Sequence, residues 1–296
     1  MATLTLHPGK FPIHLDKVNQ TSQFISTDSE QAFQENFNKL HSYYKTADIT
    51  YVNNEHGFRA QPFDSYKGRF GLAIGCSHTY GVGVRAEDTW HAELGRLLNM
   101  PFVNLGCESH GPQAVCRVAR EWCNYYAKPS IVVIQLPELS RGITATLQKG
   151  YTTHQGVSIN EWHTKLESTM VTSNEGDLTQ EFVTAEAINT TVEHFVAQQI
   201  PVRLWSYTDD HAVNRHVKYN IQSIELTQID IDNFLARDLA HQGHVTQFRV
   251  AGEVAEHCKN LNVYAEYPSD DVGTLNEENQ KEFHNMLRAN NRIIYN

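Results

Sequence analysis

The chain has 296 residues, 40% of them hydrophobic and 20% charged, which supplies a sizeable core and excludes global disorder. Its net charge of -10, from 24 Lys plus Arg against 34 Asp plus Glu with no basic run, excludes binding along a phosphate backbone, so no nucleic-acid partner is expected. Five cysteines, an odd number without a CxxC pair, exclude a disulfide framework and read as free, mostly buried thiols in a reducing compartment. The opening residues MATLTLHPGKFPIHLDK lack the basic and then apolar order of a secretion signal. No apolar stretch is long enough to span a membrane, so a cytoplasmic location without a membrane partner is expected.

Residues 1–65 are polar and irregular and read as an N-terminal extension packing on the core, with a partly ordered arm as the alternative. Within them, Phe33, Phe37, Leu40 and Tyr44 have helical spacing, and Ile49 to Val52 reads as a short strand. The main body, 66–262, opens with Arg69 to Gly75, a short apolar run ending in glycine, as buried parallel strands do. A helix over about 86–98 follows, then a strand over 101–106 and a helix over about 113–126 that puts Cys116 and Cys123 on one face. Ile131 to Leu136 is the strongest strand signal, and a helix over 184–199 leads into a strand over 202–205. A last helix of the body spans about 245–260, and the C-terminal extension, 263–296, holds one more helix over about 276–290. Two insertions, about 142–180 and 208–237, interrupt the alternation at the ends of strands, where they could cover a pocket. Alternating strands and helices imply a parallel sheet with helices on both faces, and reactive groups collect beyond its C-terminal strand ends.

Two segments at such ends carry chemistry. Gly75-Cys76-Ser77-His78 follows the first strand, where a serine at the start of a helix can present its hydroxyl beside backbone N–H groups, or merely cap a turn. Asp238-Leu239-Ala240-His241 places an acid and an imidazole three apart, a spacing that lets the carboxylate fix the tautomer of a general base.

Taken in order, these blocks resemble the SGNH hydrolases, also called GDSL-type esterases. The first block is Gly75-Cys76-Ser77-His78, the second ends a strand as Asn104-Leu105-Gly106, and the last is Asp238-Leu239-Ala240-His241. The resemblance covers roughly 70–260. It looks closest to SGNH-like proteins of bacteriophages and marine bacteria, in which a Gly-Phe-Arg segment, here Gly57-Phe58-Arg59, precedes the first block. The family implies a three-layer α/β/α fold with a mostly parallel, flavodoxin-like sheet. It implies Ser77 as nucleophile, His241 as general base and then acid, Asp238 as its orienter, and the N–H groups of Ser77 and Gly106 as oxyanion donors. The chain departs from the family at Cys76, where an aspartate is usual. It departs again at the third block, Gly-x-Asn-Asp, which is replaced by Gln135 to Arg141, so the usual asparagine donor is missing. Gln135, Ser140, Arg141 or His110 could substitute for it.

His78, His110, Gln135 and Arg141 are further candidates for touching substrate, with Arg141 equally able to pair with Glu138. Neither His241 with His244 nor His211 with His216 has the partners of a zinc site, so no metal is expected. Gly81-Val82-Gly83 lacks the spacing of a nucleotide loop, and no cofactor is expected. Tyr43-Tyr44 and Tyr125-Tyr126 could stack on sugars or serve packing. The leading expectation is hydrolysis of an O-acyl ester, an acetyl ester above all, on a carbohydrate or small molecule. The alternatives are acyl transfer to another acceptor, or a weak or inactive scaffold that binds a protein partner through its extensions. Such a scaffold could be phage-encoded and sit in a virion or the host cytoplasm.

Overall fold

The computed structural model of the chain describes residues 3–6, 9–137, 142–148, 151–157, 175–207, 216–226 and 235–259. The N-terminal part forms β1 (Thr3–Leu6), β2 (Thr21–Ser22), α1 (Glu30–Asn36), α2 (Ser42–Thr46) and β3 (Tyr51–Val52). The helix expected across Phe33 to Tyr44 is broken in the middle. Asn36 turns its amide back onto the Ala32 carbonyl, a 3-10 turn covers Phe37–Lys39, and Leu40 is extended. His41 then caps a new helix by accepting from Tyr43 N–H, and Phe37 is left 40% exposed.

The body begins with β4 (Gly71–Gly75), the single turn α3 (Ser77–Tyr80), α4 (Trp90–Leu98), β5 (Phe102–Gly106), α5 (Pro112–Tyr125) and β6 (Ile131–Leu136). Then come β7 (Gly142–Gln148), β8 (Tyr151–Val157), α6 (Glu175–Ala197), β9 (Val202–Ser206), β10 (Ile221–Ser223) and α7 (His244–His257). Five strands form an all-parallel sheet in the order β10-β9-β6-β4-β5. Counted within the sheet alone this is the flavodoxin-like order, and its reversal beside β4 is the place where such sheets open a crevice.

Strand alternation divides the core into two layers. Leu72, Ile74, Val132 and Ile134 face α5 and α6, packing on Val115, Val118, Trp122, Ile188 and Val192. Ala73, Ile131, Val133 and Trp205 face the other way, onto Trp90 and Leu94 of α4 and Val250, Ala251 and Val254 of α7. Each large side chain buried this way contributes about 1.5–3 kcal/mol. The architecture is therefore three-layer α/β/α.

Both segments read as irregular insertions contain strands. β7 and β8 form an antiparallel hairpin to which β1 adds at the edge of β8. Their Thr-rich runs suit a pleated strand without an apolar period to announce it. β10 comes from the second insertion and extends the parallel sheet next to β9. Glu138, Ser140, Arg141, His211 and the helix expected over 276–290 lie outside the described residues.

The N-terminal segment packs directly on the body. Phe11, Phe58, Phe63 and Phe70 share one core with Trp122 of α5, Phe63 meeting that indole edge-on at 5.0 Å between ring centres. Tyr126 lies in the same aromatic group and contacts His56 Nε2 through its hydroxyl, at 2.6 Å. Tyr44 is fully buried, and its hydroxyl accepts from the His244 N–H at 2.7 Å. Tyr44 and Tyr126 are thus packing residues rather than sugar platforms. Of the cysteines, Cys76, Cys107, Cys116 and Cys258 are buried and Cys123 is half-buried; all five are free thiols.

Candidate active site

Ser77 stands at the first position of α3, immediately past the buried strand β4. The turn that carries it is tied to the sheet beneath. Gln135 on β6 turns its Oε1 toward α3, where it accepts from Cys76 N–H at 3.2 Å and from Thr79 Oγ1 at 3.1 Å. A backbone N–H can only donate, so the amide orientation follows from this contact. Its Nε2 donates to the Leu136 carbonyl at 3.1 Å. Gln135, an expected substrate contact, is thus engaged as a strut under the turn that carries Ser77. Gly106, level with Gly75 in the β4–β5 register, leaves room for α3: a Cβ there would collide with the Tyr80 backbone nitrogen.

Asp238 and His241 lie on the turn before α7. That turn is closed by Ala236 N–H donating to the His241 carbonyl at 2.8 Å, and it places Leu239 in the left-handed region at φ 55°. His241 Nδ1 is 2.6 Å from Asp238 Oδ2, and His241 Nε2 is 2.8 Å from Ser77 Oγ. An ionised carboxylate only accepts, so Nδ1 carries the ring proton and Nε2 presents its lone pair to the serine hydroxyl. Asp238 Oδ1 accepts from Ala240 N–H and His241 N–H, each at 3.1 Å, while Oδ2 also accepts from Thr27 Oγ1 at 2.5 Å. Burial pushes the Asp238 carboxyl upward. Its hydrogen bond and charge contact with His241 and the donors on Thr27 and Ala240 outweigh this and bring it to about 2.

The N-terminal segment touches both halves of this arrangement. Arg59 is buried and donates to the carbonyls of Gly81 at 2.7 Å and Val84 at 3.1 Å, past Ser77, and of Thr50 at 3.1 Å. Its guanidinium lies over the Tyr51 ring, 4.5 Å from the centre. Asp28 takes a two-pronged contact from Arg237, Nε at 2.8 Å and Nη2 at 2.7 Å, and accepts from the Tyr51 hydroxyl as well. The same Tyr51 hydroxyl accepts from Gly83 N–H at 2.8 Å. Gly83 itself has φ 76°, and a Cβ on it would sit 2.7 Å from Ala236 Cβ, so only glycine lets the two loops meet.

The remaining expected residues fall in different places. His78 lies beside the Ser77–His241 contact, its ring 4.9 Å from that of His241 and 5.2 Å from that of Tyr207. His110 is fully buried, with Nδ1 2.7 Å from the Glu108 carbonyl and its ring against His14, so it lies inside the wall past β5 and not at a pocket mouth. The Gly106 N–H, an expected oxyanion donor, here donates to Asn104 Oδ1 at 2.9 Å. Thr27, Asp28 and Arg59 were not singled out as site residues. Only the Gly57-Phe58-Arg59 segment carried any signal of them. Among the described residues, no group of three or more His, Cys, Asp or Glu is placed to hold a metal ion. No helix there is long and apolar enough to cross a membrane.

A cavity of about 290 Å³ opens beside Thr27, lined by Lys17, Gln20, Phe24, Ser26, Asn53 and Glu108 among others. Lys17 and Glu108 form an ion pair in its wall, and burial lowers the Lys17 ammonium to about 8. Two of its lining residues touch Tyr80 of α3: Asn53 Oδ1 accepts from the Tyr80 hydroxyl at 2.8 Å, and Lys17 Nζ lies 4.5 Å from the centre of its ring.

No protein-family model matches the chain, and neither does any curated protein. Solved structures similar to it include a protein of the G-D-S-L family from Desulfitobacterium hafniense DCB-2, with 16% identity and a TM-score of 0.40, covering 63% of this chain and 98% of that one. A carbohydrate esterase family 2 enzyme from Corynascus thermopiles is 12% identical, with 67% of each chain covered and a TM-score of 0.40. An acetyl xylan esterase from the rumen bacterium Butyrivibrio proteoclasticus is 14% identical, with 68% of this chain and 65% of that one covered and a TM-score of 0.40. These neighbours are a GDSL-family protein and two carbohydrate esterases.

Proposed function

We propose that the chain is a serine acyl hydrolase acting on O-acyl esters, acetyl esters foremost, of a carbohydrate or small molecule. The observation that carries this reading is the continuous hydrogen-bonded line Asp238–His241–Ser77, at 2.6 and 2.8 Å. His241 Nε2 takes the Ser77 proton as Oγ bonds to the acyl carbon, and the imidazolium is held by Asp238. The same proton passes to the leaving alkoxide as the ester C–O bond breaks, which leaves an acyl-serine. Water then attacks that carbonyl, gives a proton to His241, and the acid departs as Ser77 recovers its hydrogen.

The Ser77 N–H, at the head of α3 where no preceding turn supplies a carbonyl, serves as an oxyanion donor. With the Gly106 N–H engaged and the family's third-block asparagine missing, the hole is poorer than usual, and each lost donor lowers the rate on the order of a hundredfold. A slow enzyme is expected. His78, whose ring lies 4.9 Å from that of His241, is placed to meet the substrate. Turnover of a small activated acetyl ester by the whole chain tests the reading. Ser77→Ala, with an unchanged circular dichroism spectrum, should lose about a thousandfold or more in kcat, and equal rates in both proteins would sink it.

The engaged Gly106 N–H also favours a second reading, a scaffold with little activity that serves as a binding or structural module, including one in a phage particle. Under it, wild type and Ser77→Ala show the same background rate. Acyl transfer uses the same acyl-serine, and an added alcohol acceptor that captures the acyl group identifies it.

A further inference from the structure

We infer that Thr27 is a positioning residue of the triad, so that the N-terminal segment completes the catalytic unit; this rests on the roles proposed above for Ser77, His241 and Asp238. A carboxylate offers about four acceptor sites. Asp238 fills them with the N–H groups of Ala240 and His241 on Oδ1, and with His241 Nδ1 and Thr27 Oγ1 on Oδ2. Three of these donors belong to the turn itself. The fourth comes from 211 residues upstream and meets the same oxygen that holds the imidazole. That contact locks the carboxylate's rotation so that Oδ2 stays aimed at Nδ1, and it shares the negative charge that His241 would otherwise meet alone.

The Thr27 turn is built to stay in place. Ser26 adopts φ 49°, and Ile25 pairs with Asp28 across the turn. Asp28 is bound two-pronged to Arg237, the residue before Asp238, and Phe24 lies under that guanidinium, 4.6 Å from ring centre to the charge. Thr27 is itself exposed, so these contacts, and not burial, fix where its hydroxyl points. The charged and titratable groups around the triad pair are His78 on α3, Tyr44 on α2 and the Arg237–Asp28 pair, and a change at Thr27 leaves each of them in the chain.

Thr27→Val keeps the side-chain shape and removes the donor, whereas Thr27→Ser keeps the donor. In the whole chain, Thr27→Val should lower kcat for the activated acetyl ester about tenfold. It should also move the acid limb of the kcat/KM profile upward by about half a pH unit, because a carboxylate with one donor fewer draws harder on the imidazolium. Thr27→Ser should restore both to within about twofold. A purely structural role would reduce the folded fraction and leave the acid limb where it was, and that result overturns the inference. If the wild-type chain turns over no ester, the proposed activity fails separately, and the His241 imidazole is titrated by NMR in wild type and Thr27→Val. A shift of about half a unit then supports the positioning role without the activity, and coincident titrations refute it.

Discussion

Ser77 and His241 meet across a single hydrogen bond, yet the two sides of that bond are built differently. The serine side belongs to the sheet. Its turn follows directly from β4, is tied to β6 through Gln135, and rests on β5 where Gly106 lets Tyr80 approach. On the histidine side the described lead-in, 235–237, carries one isolated bridge, Leu235 with Gln242. Its turn is braced by Gly83 from the loop after Ser77 and by Thr27, Asp28 and the Gln23 carbonyl from the N-terminal segment. Strand register is a sum of many backbone contacts and tolerates single changes; a turn held by a few buried polar contacts does not.

Breaking the second kind of support should produce the largest effect. Asp28→Ala leaves the buried Arg237 guanidinium without its counter-ion and should cost about 3–5 kcal/mol, read as a fall in the denaturant midpoint. A cost below about 1 kcal/mol would mean that the histidine side is as self-sufficient as the serine side. Gly106→Ala attacks the sheet side at its tightest approach. The new methyl group must displace the Tyr80 backbone, which costs about 1–3 kcal/mol and should slow turnover by moving α3, so an unchanged midpoint and rate would show that the β5 contact does not place Ser77. The smallest effect is one of acidity. The Asp238 carboxyl titrates at about 2 when folded against an ordinary 3.8, so the stability it contributes is present above the higher value and is lost as pH falls through the lower one. The loss is on the order of 2 kcal/mol, and Asp238→Asn should flatten that stretch of the stability curve between about pH 4 and 2.

The same division explains what could be read from the sequence. β4 and β6 are visible because strands buried on both faces are unbroken apolar runs, such as Ile131 to Leu136. β10 is three half-buried or exposed residues in a polar stretch, and β7 and β8 are rich in threonine, so neither has a pattern distinct from a loop. Ser77, Asp238 and His241 stand out because their spacings are local. Thr27 and Asp28 have no local signal at all: an exposed-looking Ser-Thr-Asp in a polar region acquires its meaning only from partners about 210 positions away. For Gly106 the place at a strand end is legible, whereas the contact of its N–H with Asn104, two residues earlier, is not.

The two contacts that join Thr27 to Asp238 and Asp28 to Arg237 span 211 and 209 residues. During synthesis the early turn therefore leaves the ribosome long before anything exists for it to hold, and Asp28 waits without its arginine while more than two hundred residues are added. Closing so long a loop comes late in folding and slows it, because the chain entropy is lost before the contacts form. Folding of the sheet alone thus yields Ser77 without His241 beside it, and the proposed activity should lag behind the burial of Trp90, Trp122 and Trp205 in a refolding experiment.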